Sequence, residues 1–197
     1  MPCPACDRLA RLRNSDDPFL LAELRESFAV LHKHQPFGTH VGGWCTLWLR
    51  APHEPLGLLP RDRQERLAAD VADLAAAMHA ALAPLGMRRI NYECLGNVVA
   101  HVHWHLIPRF DPPHDPNPGA TVWVRPAAEL DCGVSDNLRD RLVHTLRDAL
   151  TRRRTFDGGL VGSPASITMP GYSGTPLARK LGLKAGHRVA LLNAPVG

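Results

Sequence analysis

The stretch His101-Val102-His103-Trp104-His105-Leu106-Ile107-Pro108-Arg109 decides how the chain is read. Histidine alternates there with large apolar residues, the period of an extended strand whose successive side chains point to opposite faces. His101, His103 and His105 then line one face, while Val102, Trp104 and Leu106 point into a core. Three imidazoles in a row do nothing for a fold and are costly to bury without partners. Such an array suits metal ligation, or nucleophilic and acid–base chemistry near neutral pH. A surface strand with incidental histidines is the third reading. The size of the intervening apolar residues and the flanking turn signals argue against it.

Ile90–Cys94 and Val98–Ile107 form a strand pair joined at Leu95-Gly96-Asn97, and Pro-rich Asp111–Gly119 beyond them is loop. Upstream, Phe19–Glu23 and Ser27–His32 read as short strands around a polar turn at Arg25-Glu26, and Trp44–Arg50 as another. Pro36 to Gly43 is a loop carrying Gly, Thr and His. A long helix opens at Pro60 and runs to Leu82, since Leu67, Val71, Leu74, Met78 and Leu82 recur at three- and four-residue steps; Pro84 and Gly86 stop it. Val134–Leu150 forms a second helix, capped by Ser135, with Leu138, Leu142, Leu146 and Leu150 at every fourth position. Strands joined by hairpins, one long helix between them and a C-terminal helix make an α+β fold on an antiparallel sheet.

Composition sets the class. The 197 residues are 45% hydrophobic and 21% charged, enough apolar material for a real core. No apolar run approaches the roughly 20 residues that span a bilayer, so no membrane partner is expected. Five cysteines, an odd number, argue for a reducing compartment. The opening Met-Pro-Cys-Pro-Ala-Cys-Asp lacks the pattern of a secretory signal, and the expected location is cytoplasmic. The net charge of +4 suits an anionic small molecule as well as nucleic acid and decides for neither. Arg152-Arg153-Arg154 ends a helix, where positive charge complements the dipole, so nucleic acid is not an expected partner.

The histidine strand with Pro108 and Arg109 resembles the signature of the histidine triad superfamily, and Asn91-Tyr92-Glu93-Cys94-Leu95-Gly96-Asn97 resembles the loop that precedes it. The likeness covers Cys3 to Leu150. It implies a nucleotide hydrolase or nucleotidyl transferase in which His103 attacks the α-phosphate and forms a nucleotidyl-imidazole, with His105 and His101 completing the catalytic set. Neutral imidazole is an available nucleophile near pH 7 when a neighbour accepts its other N–H. Asn91, Asn97, Arg109 and Trp123 match positions near substrate. The implied substrates are dinucleoside polyphosphates, such as diadenosine tetraphosphate, or nucleoside phosphoramidates, and the implied assembly is a homodimer. Two departures stand out. Val98 replaces a hydroxyl residue, and His32-Lys33-His34 lacks an acid that grips ribose.

Cys3-Pro4-Ala5-Cys6 is half of a zinc site. In part of the family, and in galactose-1-phosphate uridylyltransferases, two histidines complete it; the matching positions are His53 and His101. Such a Cys2His2 site is closed and structural, so no metal is expected in the chemical step. An unliganded thiol pair is the alternative.

Residues 1–154 thus form the expected catalytic domain and 155–168 a Gly- and Ser-bearing linker. Residues 169–197, from Met169 through Gly171-Tyr172-Ser173-Gly174, resemble the opening of a small bacterial domain family of unknown function; they are expected to be a truncated, poorly ordered extension. Two rival functions stand beside the first. A nucleotide-sugar phosphate transferase normally has glutamine where His105 stands, and a non-catalytic nucleotide- or zinc-binding protein would keep the pocket without turnover.

Overall fold

The computed structural model describes residues 4–14, 16–35, 42–51, 55–130 and 132–157. Cys3, His53 and the segment 158–197 lie outside the described residues, and with them two expected zinc ligands and most of the expected linker and extension. The elements run α1 (Pro4–Arg13), β1 (Leu20–Glu23), β2 (Ser27–Leu31), β3 (Cys45–Leu49), α2 (Arg61–Leu82), β4 (Met87–Glu93), β5 (His103–Phe110), a single-turn α3 (Ala127–Leu130) and α4 (Asp136–Asp157). The five strands form one antiparallel sheet in the order β1-β2-β3-β5-β4.

Alternation along each strand separates the two faces. Ala29, Leu31, Cys45, Leu47, Leu49 and Leu106 join the main core, with Val102 and Trp104 packed against it. The apolar stripes of α2 (Leu67, Leu74, Met78, Leu82) and α4 (Leu138, Leu142, Leu146, Leu150) cover that face. The α2 helix is long and apolar enough to cross a membrane by length and composition alone, yet its stripe is the wall of this core. The Ser135 hydroxyl accepts the Leu138 N–H at 3.4 Å and so caps α4, which runs on to Asp157, three residues into the stretch read as linker. Gly86, at φ 90°, turns the chain out of the 3-10 turn that follows α2.

The opposite face carries Leu20, Phe28, Val30 and Trp48, which α1 covers with Ala5, Leu9 and Leu12. This helix has no counterpart in the sequence reading, where the Cys-x-x-Cys pair stood alone. Its only periodic signal is those three apolar residues at four- and three-residue steps, too few to stand out in a ten-residue helix.

The triad strand also begins later than Val98. Regular pairing with β3 starts at Trp48 opposite His103, and residues 98–102 are irregular. Pro108 lies beyond the residues paired with β3, where a strand tolerates the missing N–H.

Candidate functional site

His101, His103 and His105 lie on the face opposite the main helices, with exposures of only 2%, 6% and 8%. Their hydrogen bonds set their proton positions. His103 donates its Nδ1–H to the His101 carbonyl at 2.7 Å, which leaves the lone pair on Nε2. His105 does the reverse, since its Nδ1 accepts the Trp44 indole N–H at 3.2 Å and the neutral ring therefore carries its proton on Nε2. His101 donates its Nε2–H to the Leu49 carbonyl at 2.7 Å, leaving Nδ1 as its lone-pair atom. Two adjacent rings thus present one lone pair and one N–H.

Aromatic side chains from neighbouring elements fix these rings. Trp48, directly opposite His103 in the β3–β5 ladder, stacks on it. Trp44 enters the same face four residues earlier and stacks on His32 at 4.3 Å between centroids. Trp123, on a 3-10 turn anchored by buried Val122, meets His105 and Trp44 edge-on at 5.4 Å each. Burial first, and then the charge of His103, lowers the His105 pKa to about 4. Burial likewise lowers His32 to about 3. Both rings are therefore neutral near pH 7.

Trp44, Trp48, His32 and Glu93 are site residues that the sequence reading missed. A signal was present: once Trp44–Arg50 is read as a strand, Trp44, Thr46 and Trp48 must share a face. What single-strand periodicity withholds is the register that brings that face to the triad. Glu93 lies opposite His105 in the β4–β5 ladder and accepts the Trp123 indole N–H.

No family model and no curated protein matches the chain. Solved structures do. A histidine triad protein from Sinorhizobium meliloti superposes with TM-score 0.56 at 20% identity, over 70% of this chain and 93% of that one. The chain has the histidine triad fold. A Zn-bound histidine triad family protein from Mycobacterium smegmatis gives TM-score 0.52 at 19% identity, over 79% of this chain and 97% of that one. A hypothetical histidine triad nucleotide-binding protein from Sulfolobus tokodaii gives 0.55 at 15% identity, over 80% and 100%.

Within this histidine triad fold the other expected site residues divide. Trp123 is at the site, 41% exposed. Asn91 is half-buried on β4, opposite Ile107 and on the histidine face. Asn97 is exposed on the loop before the triad, next to Val98 at 94% exposure. Arg109, expected among the substrate contacts, is instead 1% exposed and committed to the scaffold. It donates to Asp115 at 2.6 Å and to the carbonyls of Ala120 and Asn117 at 2.6 and 2.9 Å, tying down the Pro-rich loop. The alternation that puts Arg109 on the histidine face is real, but Asp115 and Arg125 close over it.

For zinc, Cys6 lies on α1 and Ala5 beside it packs in the same cluster as Trp48, whose ring is 6.2 Å from that of His101. Among the described residues no group of three or more His, Cys, Asp or Glu side chains is arranged around a metal position. Cys45, fully buried with its thiol pKa pushed up by desolvation, is a core residue.

Proposed function

We propose that this protein is a nucleotide hydrolase or nucleotidyl transferase that works through a covalent nucleotidyl intermediate on His103. The supporting observation is the pair of opposed tautomers, a lone pair on His103 Nε2 beside an N–H on His105 Nε2. In the first step Nε2 of His103 attacks the α-phosphorus. The N–P bond forms as the P–O bond to a phosphate chain, or the P–N bond to an amine, breaks and its electron pair leaves with that group; a departing amine nitrogen takes up a proton from water as it leaves. His105 donates its Nε2–H to the phosphoryl oxygens as charge gathers there. In the second step water or another acceptor attacks phosphorus and gives up its proton to solvent, while the N–P bond breaks and its electrons return to Nε2. The substrates that fit are dinucleoside polyphosphates and nucleoside phosphoramidates.

A structural zinc held by Cys3, Cys6, His53 and His101 is compatible with this reading. A ligating imidazole usually gives its other N–H to a carbonyl, as His101 does to Leu49. The ion would tie the start of α1 to the triad strand. Among the described residues β4 is an edge strand, and a homodimer would join two sheets along it.

The test is to incubate the wild type and His103→Ala with diadenosine tetraphosphate and with an adenosine phosphoramidate, following AMP release and trapped nucleotidyl-enzyme. Wild type alone should turn over and label. Equal activity in both proteins removes the assignment. Zinc at one per chain, lost in Cys6→Ser, supports the metal site; a metal-free wild type removes it.

A further inference from the structure

We infer that Trp44 is a positioning residue, whose indole N–H holds His105 in the tautomer that presents Nε2–H to the phosphoryl oxygens. This rests on the reading of the site given above and adds a residue to it. An indole nitrogen only donates, so the atom 3.2 Å from it on His105 must be an acceptor. That requirement fixes which nitrogen of His105 carries the proton. It also opposes the imidazolium form, in which an Nδ1–H would face the indole N–H. His103 on the same strand has the opposite tautomer through the His101 carbonyl. The two Nε2 atoms therefore differ in role because their Nδ1 atoms meet different partners, a carbonyl in one case and an indole in the other.

The mount of Trp44 is rigid, as orientation of a second group requires. Its side chain is 1% exposed and lies between the rings of His32 and Trp123. Its backbone is bound on both sides by Gln35, which is itself buried. Gln35 Oε1 accepts the N–H groups of Gly43 and Trp44 at 2.8 and 3.0 Å, and its Nε2 donates to the carbonyls of His32 and Trp44 at 2.7 and 3.0 Å. The His32 N–H closes the set by donating to the Trp44 carbonyl at 2.8 Å.

Nitrogen NMR of histidine-labelled protein tests the tautomer without reference to turnover. In the wild type His105 should show a protonated Nε2 and an acceptor Nδ1, and Trp44→Phe, which keeps a ring but loses the N–H, should show a mixture. A wild-type His105 protonated on Nδ1, or a Trp44→Phe spectrum with the original tautomer intact, overturns the inference. Should Trp44→Phe not fold, the wild-type spectrum alone decides.

Kinetics supply the second arm. Trp44→Phe should lower kcat by about tenfold to a hundredfold with KM held within about twofold. In a His105→Gln background the same change should alter kcat by less than about twofold, because the amide cannot use the indole to choose a tautomer. Equal losses in both backgrounds mean that Trp44 only supports the fold, and overturn the inference. A folded wild type with the expected His105 spectrum and no turnover on either nucleotide would remove the enzymatic reading of the site and leave the tautomer assignment standing.

Discussion

The His103 imidazole lies face to face on the Trp48 indole, with ring centroids 4.6 Å apart and planes 11° from parallel. The stack sets the plane of the ring, and the bond from Nδ1 to the His101 carbonyl sets its rotation within that plane. Trp48 is also the point where α1 meets the sheet. Trp48→Ala should therefore cost about 3–5 kcal/mol of stability, read from urea denaturation. Where the variant is still folded, kcat should fall by at least about tenfold. An unchanged kcat in a folded variant would show that the stack has no part in orienting the nucleophile.

Acid should destabilise the protein earlier than its carboxylates alone would. His105 is held to about 4 and His32 to about 3, both first by burial, against about 6.5 in an unfolded chain. Below that unfolded value the unfolded chain binds two protons that the folded chain refuses, so stability rises with pH across the window and is lost as pH falls. The two rings together contribute a slope of up to about 2.7 kcal/mol per pH unit between roughly pH 6 and 4.5. Denaturation midpoints at a series of pH values should show the slope, and His32→Asn with His105→Gln should flatten it. A slope unaltered by the two substitutions would mean that these rings titrate normally.

Arg109 offers a separation of scaffold from substrate contact. The pair with Asp115 is almost wholly buried, with Arg125 on the other carboxylate oxygen at 2.7 Å. Burial is the largest single influence on the Asp115 carboxyl and pushes its pKa up, but the two guanidinium groups together outweigh it and hold the carboxyl below the usual carboxylate range. Asp115→Asn leaves Arg109 charged without its partner and should cost about 3–5 kcal/mol. Arg109→Lys loses the fork that reaches Asn117 and Ala120 and should be destabilised as well. Neither should change KM for a nucleotide at temperatures where the variant is folded. A large rise in KM in a stable Arg109→Lys protein would return the residue to the substrate.

The contrast between Arg109 and His105 shows what a sequence can carry. Both lie on one face of β5, His105 by the alternation read from the sequence and Arg109 by continuation of the same period. What each does depends on chain outside the strand: Asp115, Asn117 and Ala120 in the loop that follows close over Arg109, whereas Trp44 and Trp123 leave His105 at the site. Long periodic helices were legible for the same reason that α1 was not. Leu67, Val71, Leu74, Met78 and Leu82, spaced along the 22 residues of α2, outweigh chance, and Ala5, Leu9 and Leu12 in the ten residues of α1 do not. Tautomers were beyond reach, because they follow from register and not from residue type.

Gly43 ties the strand geometry to the site and gives a test with an internal control. Its φ of 110° is strained for any residue with a side chain, and an added Cβ would sit 2.5 Å from Cδ1 of Leu82, a fully buried residue of α2. The neighbouring Trp44 cannot move aside, because Gln35 holds both residues. Gly43→Ala should accordingly cost about 2–5 kcal/mol, combining backbone strain with overpacking. Leu82→Ala in the same chain should recover only the overpacking part, so the double variant should be less destabilised than the sum of the two singles. Gly96→Ala is the control: it lies on the exposed loop before the triad with nothing within 4 Å of the added carbon, and should change stability by less than about 0.5 kcal/mol. If Gly43→Ala were as mild as Gly96→Ala, the turn would be free to relax and Trp44 would not be rigidly mounted. Paired denaturation curves for the two alanine variants decide between a fixed turn and a compliant one.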